Sequence, residues 1–156
     1  MAGQIDKITL EGVELLFENF AGNEIKVKNK VMNQEGSRNF CVYLNDDIAD
    51  KLEKDGWLVK HTVANEQYEQ ESRPYIKVHI SASGRPSDSM IVMISGDDKV
   101  RLKDESISLL DGADITNADM IIRGWEYEPG KVSAYLKSGY FTVYQDELEK
   151  KYGSMY

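Results

Sequence analysis

Rings and cations recur together along this chain at alternate positions, and that pairing has a chemical use. Tyr75, Lys77 and His79 share one parity in residues 73–80, with Arg73 at the entry. Ile76, Val78 and Ile80 take the other parity. Arg123, Trp125 and Tyr127 repeat the arrangement. Tyr135 and Lys137 repeat it again, with Tyr140 beyond a Ser138-Gly139 break. Successive side chains of a strand point to opposite faces, so each set shares one face. Flat rings stack on nucleic-acid bases and cations follow phosphates, each stacked base contributing about 1–3 kcal/mol. Trp57 and His61 are placed to extend the set. The same residues also have a plainer use. If Ile121 marks an inward face, Trp125 and Tyr127 fill a core and Arg123 lines a cavity.

The chain around these cations is acidic. Its 156 residues carry a formal net charge of −8, yet no acid lies between Arg73 and Arg85. A pI near 4.8 argues against holding duplex DNA by bulk charge. A local basic groove remains open, because distant charges are screened within about 10 Å. Other chemistry finds little support. His61 and His79 are the only histidines, and Cys41 is the only cysteine. That excludes an intrachain disulfide and gives no metal-ligand set, so Cys41 reads as a small core residue in a reducing cytosol. Asp111, Asp114 and Asp119 fit turn and cap roles better than a cation site. Residues 83–87 lack the lysine and second glycine of a phosphate loop. No nucleophile elbow is present. A binding protein without catalytic residues, metal or cofactor is therefore expected, rather than an enzyme. The apolar runs are too short to span a bilayer, and the N-terminus has no signal-peptide pattern.

The elements that must carry these residues are short strands. Residues 8–20 predict a first strand region, with Val13, Leu15 and Phe17 set against Glu14, Leu16 and Glu18. Residues 25–31 alternate as one strand, with Lys26, Lys28 and Lys30 on one face. Those lysines suit a solvated edge or a phosphate-facing stripe. Residues 38–44, 57–63, 99–103, 118–127 and 132–144 predict further strands, and 90–94 a buried one. Asn45 caps a helix over 46–55, with Asp46 and Asp47 in its first turn and Gly56 at its end. Its acids make it a solvated cover. Residues 106–114 predict a short helix or turn with Leu109 and Leu110 buried. Residues 64–72 and 83–88 read as loops, 128–131 as a hairpin turn, and 145–152 as a short charged helix. Short strands, regular turns and one helix predict a mainly β single domain over 1–156. The expected fold is an OB-fold-like small barrel with one main α-helix and a short C-terminal helix or tail at 145–156. A mid-strand glycine supplies the bend that closure demands.

Gly36-Ser37-Arg38-Asn39-Phe40, Gly56-Trp57-Leu58-Val59-Lys60, Met120-Ile121-Ile122-Arg123-Gly124-Trp125 and Ala134-Tyr135-Leu136-Lys137-Ser138-Gly139-Tyr140 occur in this order. They close on Asp146-Glu147-Leu148-Glu149-Lys150-Lys151-Tyr152. In order and spacing they resemble a family of small phage and prophage proteins with an OB-fold and single-stranded DNA-binding activity, over about residues 13–152. The resemblance implies that Arg38 and Asn39 begin a barrel strand beside the groove. It implies that Trp57 and Lys60 follow the helix, and that Tyr135, Lys137 and Tyr140 lie on the last strand. It also implies a role in phage DNA replication or recombination, with proteins of those processes as further partners, in the host-cell cytoplasm. The chain departs from the pattern at residues 149–156, which mix charges where many such proteins carry an acidic recruiting tail. Gly124 and Gly139 replace bulkier strand residues, which is expected to loosen the groove.

Residues and resemblance together predict a protein that coats single-stranded DNA with little sequence preference. Lys77, Arg123 and Lys137 take phosphates, and Tyr75, Trp125 and Tyr135 offer stacking faces. Arg38, Trp57, Lys60, Arg73, His79 and Tyr140 complete the candidate interface. No membrane partner is expected, and a homo-oligomer is left open. The alternative is a protein-interaction module, or an inhibitor of a host factor, that works through the acids of residues 46–55 and 66–71.

Overall fold

The alternating segments fold as strands, and the two longest set the frame. The computed structural model describes residues 3–64, 67, 71–80, 89–103 and 105–144, with side chains from Lys7 onward. The early strands are β1 Gly3–Leu10, β2 Leu15–Asn19, β3 Ile25–Val27, β4 Lys30–Asn33 and β5 Asn39–Tyr43. Helix α1 spans Asp46–Lys54. The later strands are β6 Val59–His61, β7 Pro74–His79, β8 Met90–Ser95, β9 Asp98–Leu102, β10 Ile115–Glu128 and β11 Lys131–Val143.

β10 and β11 form a long antiparallel hairpin, paired from Ile115↔Val143 to Glu128↔Lys131. The other edge of β11 is divided. Ala134 and Tyr135 pair in parallel with Val78 and His79 of β7, while residues 138–142 pair in parallel with β8. A bulge at Lys137, between the Leu136 and Ser138 pairings, marks the change of partner. Bulges bend and twist a strand, which is how one edge can serve two neighbours. β1 extends the sheet beyond β10, β5 and then β2 extend it beyond β7, and β9 extends it beyond β8. β6 pairs with the first half of β7. The result is a branched nine-stranded sheet. Among the described residues no pairing joins its outermost strands, so the expected barrel is not closed.

The inner face of this sheet holds the core. Phe40, Val42, Ile76, Val78, Met120, Ile122, Ala134 and Leu136 are buried on it. Phe20, Phe40 and Phe141 meet ring to ring at 5.3–5.8 Å. Burying such a side chain contributes roughly 1.5–3 kcal/mol. Helix α1 packs Ala49 and Leu52 into the same core. Asn45 Oδ1 accepts from Ile48 N at 2.8 Å, the cap the sequence predicts.

Several local expectations are corrected. Residues 25–33 are a separate two-stranded hairpin, not one strand, and they turn at Lys28 and Asn29 with φ of 51° and 65°. Two residues in the left-handed region make the tight turn that matches strand twist, so the lysine stripe does not form. Residues 107–111 form a 3-10 turn that buries Ile107 and Leu110, while Leu109 is exposed. A three-residue period places 107 with 110, not 109 with 110. In β8 only Ile91 is fully buried. Gly124 and Gly139 do not loosen a groove. A Cβ at Gly124 would lie 2.7 Å from Val132 Cγ1 and 2.8 Å from Trp57 Cζ2, and one at Gly139 2.6 Å from Phe141 Cε2. Both make room for inward rings. The predicted turn at 83–88 and the C-terminal helix at 145–152 lie outside the described residues.

Candidate nucleic-acid interface

The opposite face of the sheet carries the chemistry. Met120, Ile122 and Gly124 of β10 are buried, so Arg123, Trp125 and Tyr127 point outward. The reading with Ile121 inward does not hold, and Trp125 is 48% exposed. Strand register then assembles residues distant in sequence. Lys7 of β1 lies opposite Arg123 of β10, and Arg123 opposite Tyr135 of β11. Tyr135 lies beside His79 of β7, and His79 opposite Asn39 of β5. One row of outward positions thus crosses four neighbouring strands, at about 4.8 Å per step, and ends at β5, where Asn39 is buried. The rings of His79 and Tyr135 sit 5.2 Å apart, tilted by 35°. Lys77 and Tyr75 continue the outward face along β7, and Lys60 of β6 lies opposite Tyr75.

Charge is concentrated on this face. Lys137, at the bulge, has its ammonium pushed below the usual lysine range. The hydrogen bond and the charge of Lys7 come first among the causes, then slight desolvation, then Arg123. Like charges held together disfavour the protonated form, and an anion placed among them restores it. His79 is lowered too, by burial first and then by Lys77 and Lys60. It is therefore a neutral ring at pH 7 rather than the cation the sequence suggests. Burial raises the Tyr75 phenol, with smaller contributions from Cys41 and Tyr43, so this ring is also uncharged. Cys41 lies opposite Lys77 and is buried. Burial raises its thiol against the opposing pull of Lys77 and Lys60, which leaves it a covered, uncharged thiol beneath Lys77.

Four predicted contacts stand elsewhere. Trp57 is a correction: only 4% exposed, it packs in the core over Gly124 and offers no stacking face. Arg73 lies at the edge, already engaged. Its guanidinium carbon sits 3.6 Å over the Tyr43 ring, and Nη2 lies 3.3 Å from Glu14 Oε2. Arg38 is half-buried at the start of β5, and its stem passes close to Gly22. Tyr140 points outward beyond the bulge, but its neighbour in register is Asp119 rather than a cation. Two of the three acids singled out in the sequence, Asp111 and Asp119, hold backbone amides with their side chains. Asp111 accepts from the amides of Phe20 and Ala21 at 2.8 Å, and Asp119 from Gly12 at 2.7 Å.

Two outward residues were not among the predicted contacts. Lys7 belongs to a strand that begins earlier than the predicted one, although Lys7 and Thr9 do alternate with Ile8 and Leu10. Phe17 shares its parity with Val13 and Leu15, which pack against the core, yet it is 67% exposed and its ring lies 5.8 Å from that of Tyr75 in a T-shaped pair. No sequence signal marks it. No helix among the described residues is long and apolar enough to cross a membrane.

A family model with the description "Putative phage ssDNA-binding domain" matches residues 2–156. The chain belongs to that family. Searches of curated proteins and of solved structures returned no significant match.

Proposed function

We propose that the outward face of β1, β10, β11 and β7 binds single-stranded DNA without strong sequence preference, in phage DNA replication or recombination. The observation that carries this reading is the cross-strand row Lys7, Arg123, Tyr135 and His79, flanked by Lys137, Lys77, Trp125 and Tyr75. Cations and flat rings share this face, as sequence-tolerant binding of a single strand requires. The chain's acids include a set on α1, which packs against the core side and so lies away from the phosphate path. Lys7, Arg123, Lys137 and Lys77 contact phosphates in this reading, and Trp125, Tyr135 and Tyr75 receive bases.

The test is intrinsic tryptophan fluorescence during titration with unlabelled oligothymidine at low and physiological salt. Trp125 is exposed and Trp57 buried, so quenching reports on the outward face alone. Saturable quenching that weakens with salt and disappears in Trp125→Phe is expected. Unchanged fluorescence together with a blank gel shift would remove the reading.

A further inference from the structure

The pairing of β2 with β5 is regular at Leu15 and Leu16 and resumes at Asn19. Phe17 occupies the break with φ of 51°. That left-handed backbone crowds a Cβ against the carbonyl and is ordinarily left to Gly, Asn or Asp, so a bulky ring there is an outlier. A glycine would hold the same bulge without crowding. Phe17 recovers little by burial, because it is 67% exposed. Its ring stands 5.8 Å from that of Tyr75 at 68° between planes, so the two rings do not stack on one another, and the exposure of Phe17 leaves a ring face to solvent. Backbone strain of this kind persists where a site uses the side chain it displays. Tyr75 in turn ends the run of rings and cations that starts at Lys7.

We propose that Phe17 is a base-stacking platform that extends the interface past β5 to β2. A base of the bound strand lies on its open face, while the neighbouring phosphates pass Lys77 and Lys60. This inference rests on the reading that the outward face binds single-stranded DNA, and it adds to that reading a contact and an end to the path.

The test compares Phe17→Gly, Phe17→Leu and Phe17→Tyr with the wild type, by melting temperature and by affinity for oligothymidine. Phe17→Gly is expected to melt at or above the wild-type temperature while binding about tenfold more weakly, the loss of one stacked base. Phe17→Leu keeps apolar bulk without a flat ring and should bind as weakly. Phe17→Tyr should bind like the wild type. A glycine variant that binds within twofold of the wild type overturns the proposal, as does a leucine variant that binds normally. A glycine variant that melts lower overturns the strain argument on which it stands. If the glycine variant keeps its DNA affinity but loses self-association, the ring serves a protein contact and the proposal is wrong. Failure of the wild type to bind at all would instead count against the proposed function.

Discussion

Lys137→Ala should weaken DNA binding and flatten its salt dependence without weakening the fold. Lys137 stands in the bulge of β11, where Lys7 and Arg123 disfavour its charge. Removing it relieves repulsion in the free protein and deletes one phosphate contact in the complex. The size of the effect follows from the face. Lys7, Arg123, Lys137 and Lys77 are counted as contacts of the central face; Arg73, which lies at the edge, and Lys60, which belongs to the extension towards Phe17, are left out. Each phosphate neutralised on a single strand adds about 0.7 to the slope of log affinity against log salt. The wild-type slope is then about −2.8, so a rise from about 50 to 200 mM salt weakens binding about 50-fold. Without Lys137 the slope is about −2.1 and the same rise costs about 18-fold. Anisotropy of a labelled oligothymidine over a salt series measures both slopes, and a thermal melt checks the fold. An unchanged slope would remove Lys137 from the phosphate path. A lower melting temperature would refute the argument that its neighbours repel it.

Gly124→Ala should destabilise the fold by about 1–3 kcal/mol, the usual cost of overpacking a core. The new Cβ would fall within 3 Å of Val132 and of the Trp57 ring. For a domain of this size that lowers the melting temperature by roughly 2–10 °C, and a melt unchanged from wild type would show that the ring has room to move. His79 titrates lower in the fold than in the unfolded chain. Its stabilising effect is therefore complete above the unfolded value near 6.5 and is lost as pH falls below it. Melts at pH 7.5 and 5.5 should show a fall in stability that His79→Gln reduces, and parallel behaviour of the two proteins would contradict the assignment.

Much of the fold was legible because alternation is a local property. Residues 74–79 show it without interruption, and the structure buries Pro74, Ile76 and Val78 while leaving Tyr75, Lys77 and His79 half-buried on the other side. The helix was legible for a similar reason, since its cap and stop lie within a few residues of it. Closure was not legible. It depends on which strand takes the second edge of β11, and a one-residue bulge at Lys137 decides that. The lysine stripe of residues 25–31 failed through turn chemistry. A Lys-Asn pair is a weaker turn signal than Asn-Gly, so the alternation reads through it.

The site divides along the same line. Each ring-and-cation set could be read from its own strand, but the row that joins the sets is a matter of register. Lys7, Arg123, Tyr135 and His79 come from separate stretches of chain and become neighbours only when β1, β10, β11 and β7 are laid side by side. Parity also fails wherever a strand is interrupted, because a slip of one residue sends every later side chain to the other face. Phe17 shows this directly: counted from Leu15 it belongs to the core, yet the bulge before Asn19 turns it out beside Tyr75. The two bulges on this face therefore act differently. Lys137 keeps the parity of Tyr135, and its bulge shifts the residues that follow and marks the change of partner from β7 to β8. The bulge at Phe17 instead presents an outward ring where alternation from Leu15 places an inward one, so only there does an irregular strand add to the face what a regular one would have hidden.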